Sequence, residues 1–155
     1  MDNWAEALEE YKKLSLHSPS GSLTYQAALD LGLHAFQKKD YAEATRMFFN
    51  IVDNFPGSPN LPFIYFLIGE SYYNSREYKK ALPHYLFIIE KGPGGYFSEA
   101  ALLREGMTLV RLGNYKKAIE ELQAHVNRYP NSELLQEATF WLAEARFLSQ
   151  DYQGA

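Results

Sequence analysis

The stretch Leu31–Ser58, LGLHAFQKKDYAEATRMFFNIVDNFPGS, decides the fold. Its opening completes an apolar stripe (Ala28, Leu31, Gly32, Ala35 and Phe36) that starts near Leu23 and steps by three and four residues, the spacing of one helix face. Asp40, followed by Glu43, supplies an N-cap and a first-turn acid, and so opens a second helix. Tyr41, Ala44, Phe48, Ile51 and Val52 form the apolar stripe of that helix, and Phe55-Pro56-Gly57-Ser58 ends it. The stretch reads as an antiparallel helix hairpin.

Outward from this hairpin the same marks return every 37 residues. Trp4, Tyr41, Tyr78, Tyr115 and Tyr152 share the step, and so do Ala7, Ala44, Ala81, Ala118 and Ala155. Pro19, Pro56, Pro93 and Pro130 keep the same register, and four of only seven prolines in one register identify a repeat. Gly32, Gly69 and Gly106, with Ala143 as the fourth, form a small-residue series. A mid-helix glycine costs about 1 kcal/mol of helix propensity relative to alanine. Its recurrence therefore implies a packing need, with the helices of one hairpin close together and the alanine series where the partner helix crosses. Asn3 with Glu6 makes a similar start for the first helix, and Asn114 opens the last complete second helix. The register predicts eight helices near 3–17, 22–38, 40–54, 60–75, 77–91, 97–112, 114–128 and 134–149, with no strand.

Composition sets the outer bounds. A chain of 155 residues, 46% apolar and 22% charged, is one globular domain with enough length for a core. A net charge of −4 argues against a general nucleic-acid binder, and the absence of cysteine removes disulfides, thiolate metal sites and cysteine nucleophiles. The longest apolar stretch, Leu61 to Gly69, is interrupted by Pro62 and falls short of the roughly 20 residues of a membrane-spanning helix. The first residues, Met-Asp-Asn-Trp-Ala-Glu, carry neither the basic nor the apolar region of a signal peptide.

No chemistry converges at sequence level. His17, His34, His84 and His125 lie far apart in sequence, and His125 takes the stripe position of Ile51 and Ile88, so it reads as a packed imidazole. The doublets Glu9-Glu10 and Glu120-Glu121 diverge on a helix and read as solvated faces. Gly92-Pro93-Gly94-Gly95 lacks the Lys-Ser/Thr ending of a phosphate loop and reads as a flexible turn. No catalytic, cofactor-binding or metal residue is assigned.

The order Gly32, Tyr41, Ala44, Phe48, Pro56 resembles a tetratricopeptide repeat, with three residues added after the proline. The extension, with Phe55-Pro56-Gly57-Ser58 and Tyr129-Pro130-Asn131-Ser132, is similar to the subfamily in bacterial cell-envelope proteins, which includes the periplasmic Tol-Pal system coordinator and the lipoprotein of the outer-membrane β-barrel assembly machine. The resemblance implies an all-α, right-handed α-solenoid of antiparallel helix hairpins. It implies a non-catalytic scaffold, periplasmic or outer-membrane-associated, although a chain without thiols suits a cytoplasm equally. The alternative is a repeat arm of a larger enzyme or regulatory protein.

In the same register, 1–21 is a lone second helix, 22–58, 59–95 and 96–132 are full repeats, and 133–155 is the first helix of a truncated repeat. Together they make one domain, expected to be a fragment of a longer protein that can self-associate through its truncated ends. Phe140, Trp141, Leu142 and Phe147 are expected to form an uncovered apolar face.

Repeat modules that hold the acidic C-termini of chaperones use Lys and Asn on the first helices. The matching positions here are Leu29 and Leu33, Phe66 and Glu70, Leu103 and Met107, and Phe140 and Glu144, so that clamp is absent. The groove line they form is extended by Phe36, Phe63, Tyr73, Val110 and Phe147, and its expected partner is an apolar or amphipathic protein segment. Two charges interrupt buried stripes: Glu105 stands where Leu31, Ile68 and Leu142 lie, and Arg146 where Tyr72 and Leu109 lie. A pair between them, across neighbouring first helices, is the expectation. Pro83 is the other departure, inside its helix.

Overall fold

A computed structural model describes residues 4–91 and 96–153. The described residues form eight helices: α1 (Trp4–His17), α2 (Ser22–Gln37), α3 (Tyr41–Asn54), α4 (Leu61–Asn74), α5 (Tyr78–Lys91), α6 (Tyr96–Arg111), α7 (Tyr115–Arg128) and α8 (Leu135–Gln153). No strand occurs among them. The fold is all-α, and α1, α3, α5 and α7 each begin on the aromatic residue of the repeat. The Asn3 cap and the Gly92–Gly95 turn lie outside the described residues.

Local chemistry explains the boundaries. The Asp40 carboxylate caps α3 by accepting from the Glu43 backbone N–H at 3.1 Å. α2 ends in a left-handed residue, Lys39 (φ 64°), with Asp40 N bonded to Ala35 O at 2.9 Å and Lys39 N to Phe36 O at 3.0 Å. α6 ends the same way on Gly113 (φ 75°), with Asn114 N on Leu109 O at 2.9 Å and Gly113 N on Val110 O at 3.0 Å. The turns after second helices also match. Ser58 N bonds Phe55 O at 3.0 Å, and Ser132 N bonds Tyr129 O at 3.2 Å.

The last helix departs from the register. The register ends this helix near residue 149, whereas α8 runs on to Gln153. Gln150 occupies the position that is left-handed at Lys39, Arg76 and Gly113. That conformation costs a non-glycine residue about 1–2 kcal/mol, which packing of a following helix can offset. Within α8 this position stays helical.

The chain divides into two compact units, Met1–Ser75 and Arg76–Ala155. In the first, α2 packs on α3, α3 on α4, and α1 on α2. Its core is built from Ala28, Leu31, Ala44, Met47, Phe48, Ile51, Ile64 and Ile68, with Tyr11 reaching in from α1. In the second, α6 packs against α5, α7 and α8, and α7 against α8. α6 is accordingly buried nearly all round, from Ala100 to Gly106 and on through Val110, with only Arg104 half-exposed.

The glycine series has a different partner from the one expected. A Cβ on Gly32 would lie 2.5 Å from Phe48 Cε1, and one on Gly106 would lie 2.5 Å from Leu122 Cγ. The missing side chain therefore makes room for the large apolar residue of the second helix rather than for the alanine series. Ala44, Ala81 and Ala118 are fully buried, whereas Ala7 on α1 is exposed.

Candidate interaction surface

The groove line of the sequence falls into three classes. In the first unit, Leu29, Leu33, Phe36 and Phe63 are half-buried and packed against the core, and Phe66, Glu70 and Tyr73 are half-buried as well. Phe36 meets Tyr41 edge-on, ring centroids 5.5 Å apart. In the second unit, Leu103, Met107 and Val110 are buried, which corrects the expectation that they line an open trough. The cause is α6 itself, enclosed by α5, α7 and α8. Phe140 and Phe147 stand 61% and 62% exposed on α8, with Glu144 half-buried between them.

Phe140, Glu144 and Phe147 lie on one helix face, and seven residues of rise separate the two rings by about 10 Å along the axis. Beside them Val110, Arg111, Tyr115, Trp141 and Leu148 complete a cavity of about 430 Å³. The Arg111 guanidinium sits 5.0 Å from the centre of the Trp141 ring, and Phe140 meets Trp141 edge-on at 5.8 Å. The expected uncovered face is thus only partly uncovered, because Leu142 is buried and Trp141 half-buried. Arg111, Tyr115 and Leu148 were invisible to a reading that compares each position with its repeats, because their meeting is a contact between different register positions. A second cavity, about 320 Å³, opens in the first unit between Trp4, His34, Ala35, Lys38 and Asp40, where Trp4 stacks on His34 at 4.7 Å.

The charged positions also rearrange. Glu105, 2% exposed, has Lys117 Nζ 3.3 Å from Oε1, while Arg146 Nη2 donates to Gln123 Oε1 at 2.7 Å. The expected pair of Glu105 with Arg146 is therefore not formed. Glu105 points into the α6–α7 hairpin, and Arg146 lies on the exposed side of α8. Burial pushes the Glu105 carboxyl above its ordinary range and the neighbouring Glu121 pushes it further, against the pull of Lys117. His125 is fully buried with no hydrogen bond to either ring nitrogen, and its Nε2 is 3.7 Å from Glu99 Oε1. Burial lowers its pKa and Glu99 opposes the shift. The Glu99 carboxylate also accepts from Ser132 Oγ, tying α6 to the turn before α8. Among the described residues no group of three His, Asp or Glu stands close enough to hold a metal ion.

Residues 1–82, just over half of the 155-residue chain, match the family model YfiO, outer membrane lipoprotein. Residues 66–133 match a tetratricopeptide-repeat model. The chain belongs to the YfiO family of tetratricopeptide-repeat proteins. Solved structures share the fold of this YfiO-family chain. The Sgt2 TPR domain from Aspergillus fumigatus superposes with a TM-score of 0.68 at 16% identity, covering 89% of this chain and 87% of that one. MamA gives 0.63 at 17% identity over 99% and 92%, and the MamA RS-1 ArsTM double mutant 0.65 at 17% over 98% and 88%. At these identities the likeness is one of fold. No curated protein sequence matches the YfiO-family chain significantly. None of its described helices is long and apolar enough to cross a membrane.

Proposed function

We propose that the chain is a non-catalytic scaffold of the bacterial cell envelope, acting in outer-membrane assembly by holding an apolar or amphipathic protein segment on its first-helix faces. The observation that carries the binding role is the pair of exposed rings on α8, Phe140 and Phe147, flanking Glu144 above a cavity of about 430 Å³. Aromatic side chains offer large contact area with little rotamer entropy, so a soluble helix that exposes two of them on one face has the makings of a docking site. Leu29, Leu33, Phe36, Phe63, Phe66, Glu70 and Tyr73 are the proposed contact residues of the first unit, and Leu103, Met107 and Val110 support the α8 face from beneath. The envelope location draws on the description of the matched family, outer membrane lipoprotein.

The binding role is tested with a fluorescent amphipathic helical peptide bearing Leu and Lys on one face. Replacing Phe140 and Phe147 together by Ala weakens its binding by about 1–3 kcal/mol and leaves the circular dichroism unchanged. Unaltered binding moves the site elsewhere, first to Leu86 and Phe87 on α5. Recovery of the full gene product in the cytosolic rather than the envelope fraction removes the envelope part of the proposal.

A further inference from the structure

The outward face of α5, in the middle of the chain, differs from that of the other second helices. Ala81, Tyr85 and Ile88 are fully buried, and the opposite face of the helix carries Lys79, Lys80, Pro83, Phe87 and Glu90, all exposed. Phe87 stands where α3 has Asn50 and α7 has Ala124, so a ring that is 36% exposed replaces a polar or small residue. Lys79 and Lys80 stand where α3 has Ala42 and Glu43. Lysine in the first turn works against the helix dipole, which favours the acid that α3 carries there. The helix thus carries its lysines at some cost.

Positive charge gathers at this end of α5 although the chain has a net charge of −4. Arg76, Glu77, Tyr78, Lys79 and Lys80 line a cavity of about 330 Å³ together with Leu112, which follows α6. Glu77 pairs with Lys80, so the exposed Arg76 and Lys79 set the sign of the cavity. Phe87 lies eight residues beyond Lys79, about 12 Å along the axis, and Glu90 stands one turn further. The face therefore runs from basic through aromatic to acidic. We infer that it is a docking surface, distinct from α8 and from the first-helix faces, for a protein segment whose charges run the opposite way. Carboxylates of that segment enter the cavity, an apolar side chain meets Phe87, and a lysine or arginine meets Glu90. A face of two signs with a cavity at one end selects a segment of definite length. It is poorly matched to a lipid surface, whose anionic headgroups would meet Glu90 as well as the lysines.

Fluorescence anisotropy with the full chain reads the docking. The probe is a fluorescein-labelled helical peptide with two Glu in its first turn, Leu eight residues on and Lys at its C-terminal end. It binds the unaltered chain, and the binding weakens as salt rises, because exposed charges carry part of the contact. Arg76→Glu and Lys79→Glu together weaken it at least tenfold, and Phe87→Asn, which installs the residue of α3, weakens it about tenfold. A peptide with Lys in place of its two Glu reverses the preference and binds the doubly substituted chain more tightly than the unaltered one. Arg76 and Lys79 are exposed, so the thermal midpoint of the double variant stays in place and separates lost docking from lost fold. No binding of the first peptide, or binding indifferent to the charge reversal and to Phe87→Asn, overturns the inference. Co-sedimentation with vesicles of phosphatidylglycerol and phosphatidylcholine that the same substitutions abolish, in a chain that does not bind the peptide, overturns the protein segment as occupant.

Discussion

Lys117 Nζ lies 3.3 Å from Glu105 Oε1, an ion pair made inside one hairpin and not between neighbouring first helices. The carboxylate is 2% exposed while the lysine side chain is 43% exposed, so the lysine brings its charge from solvent to a group that burial would otherwise neutralise. Oε1 has no hydrogen bond of good geometry, and Glu121 stands near with the same sign. Glu105 is therefore a strained substitute for the Leu31, Ile68 and Leu142 of the other first helices.

The first prediction concerns this pair. A carboxyl whose folded pKa is raised stabilises the fold fully below its unfolded value, about 4.3, and loses that contribution as pH rises through the folded value. Glu105→Gln should raise the urea midpoint at pH 7, with the gain shrinking toward pH 4. Lys117→Met should cost about 1 kcal/mol at pH 7, because it strands the buried charge. A Glu105→Gln variant less stable than the parent at neutral pH would show that the ion pair outweighs the desolvation.

His125 has the opposite sign. Its folded pKa is lowered by burial, so its contribution is complete above the ordinary histidine value of about 6.5 and is lost as pH falls through the folded value. Acidification from neutral pH should destabilise the chain, and His125→Leu should flatten that slope without lowering stability at pH 7. His84 is shifted downward by burial as well, so part of the slope persists in the variant. Thermal midpoints across the acid range check this. Parallel curves for parent and variant would assign the pH response elsewhere.

The hairpin and its register were legible because each rests on short-range signals: an N-cap, a proline turn, and a stripe of apolar residues at helical spacing. All eight helices follow from them, and so does the burial of His125, which sits at an isoleucine position. The depth of the groove residues was not legible. A register shows that Leu103 and Phe140 are equivalent, but not that α8 covers one and nothing described covers the other. The partner of Glu105 was missed for a related reason, since Lys117 lies on the same hairpin, where a half-exposed lysine looks like any solvated charge.

The third prediction follows from the left-handed turn residues. Lys39 and Arg76 adopt φ 64° at the position where Gly113 adopts φ 75°. Side chains resist this conformation by about 1–2 kcal/mol, and glycine does not. Lys39→Gly should stabilise the first unit by about 0.5–1 kcal/mol, after the larger chain entropy that glycine loses on folding, and Gly113→Ala should destabilise the second by about 1 kcal/mol. Urea denaturation of both variants decides it, and a neutral Gly113→Ala would mean that the turn relaxes out of the left-handed region.

The last prediction sets one register position against itself. Ala in place of Gly32 would bring a Cβ 2.5 Å from a Phe48 ring carbon, and in place of Gly106 the same distance from Leu122 Cγ. Overpacking of this kind costs about 1–3 kcal/mol, only partly offset by the roughly 1 kcal/mol that alanine adds to helix propensity. The Leu122 branch carbon is fixed one bond from its Cβ and cannot swing aside as a ring edge can, so Gly106→Ala should be the more damaging of the two. On α8 the equivalent Ala143 is exposed and crowds nothing in the monomer. Ala143→Gly should therefore cost the dilute chain about 1 kcal/mol, purely as helix propensity. Urea denaturation of the three variants checks this, and an Ala143→Gly variant as stable as the parent would show that helix propensity carries no weight at this position.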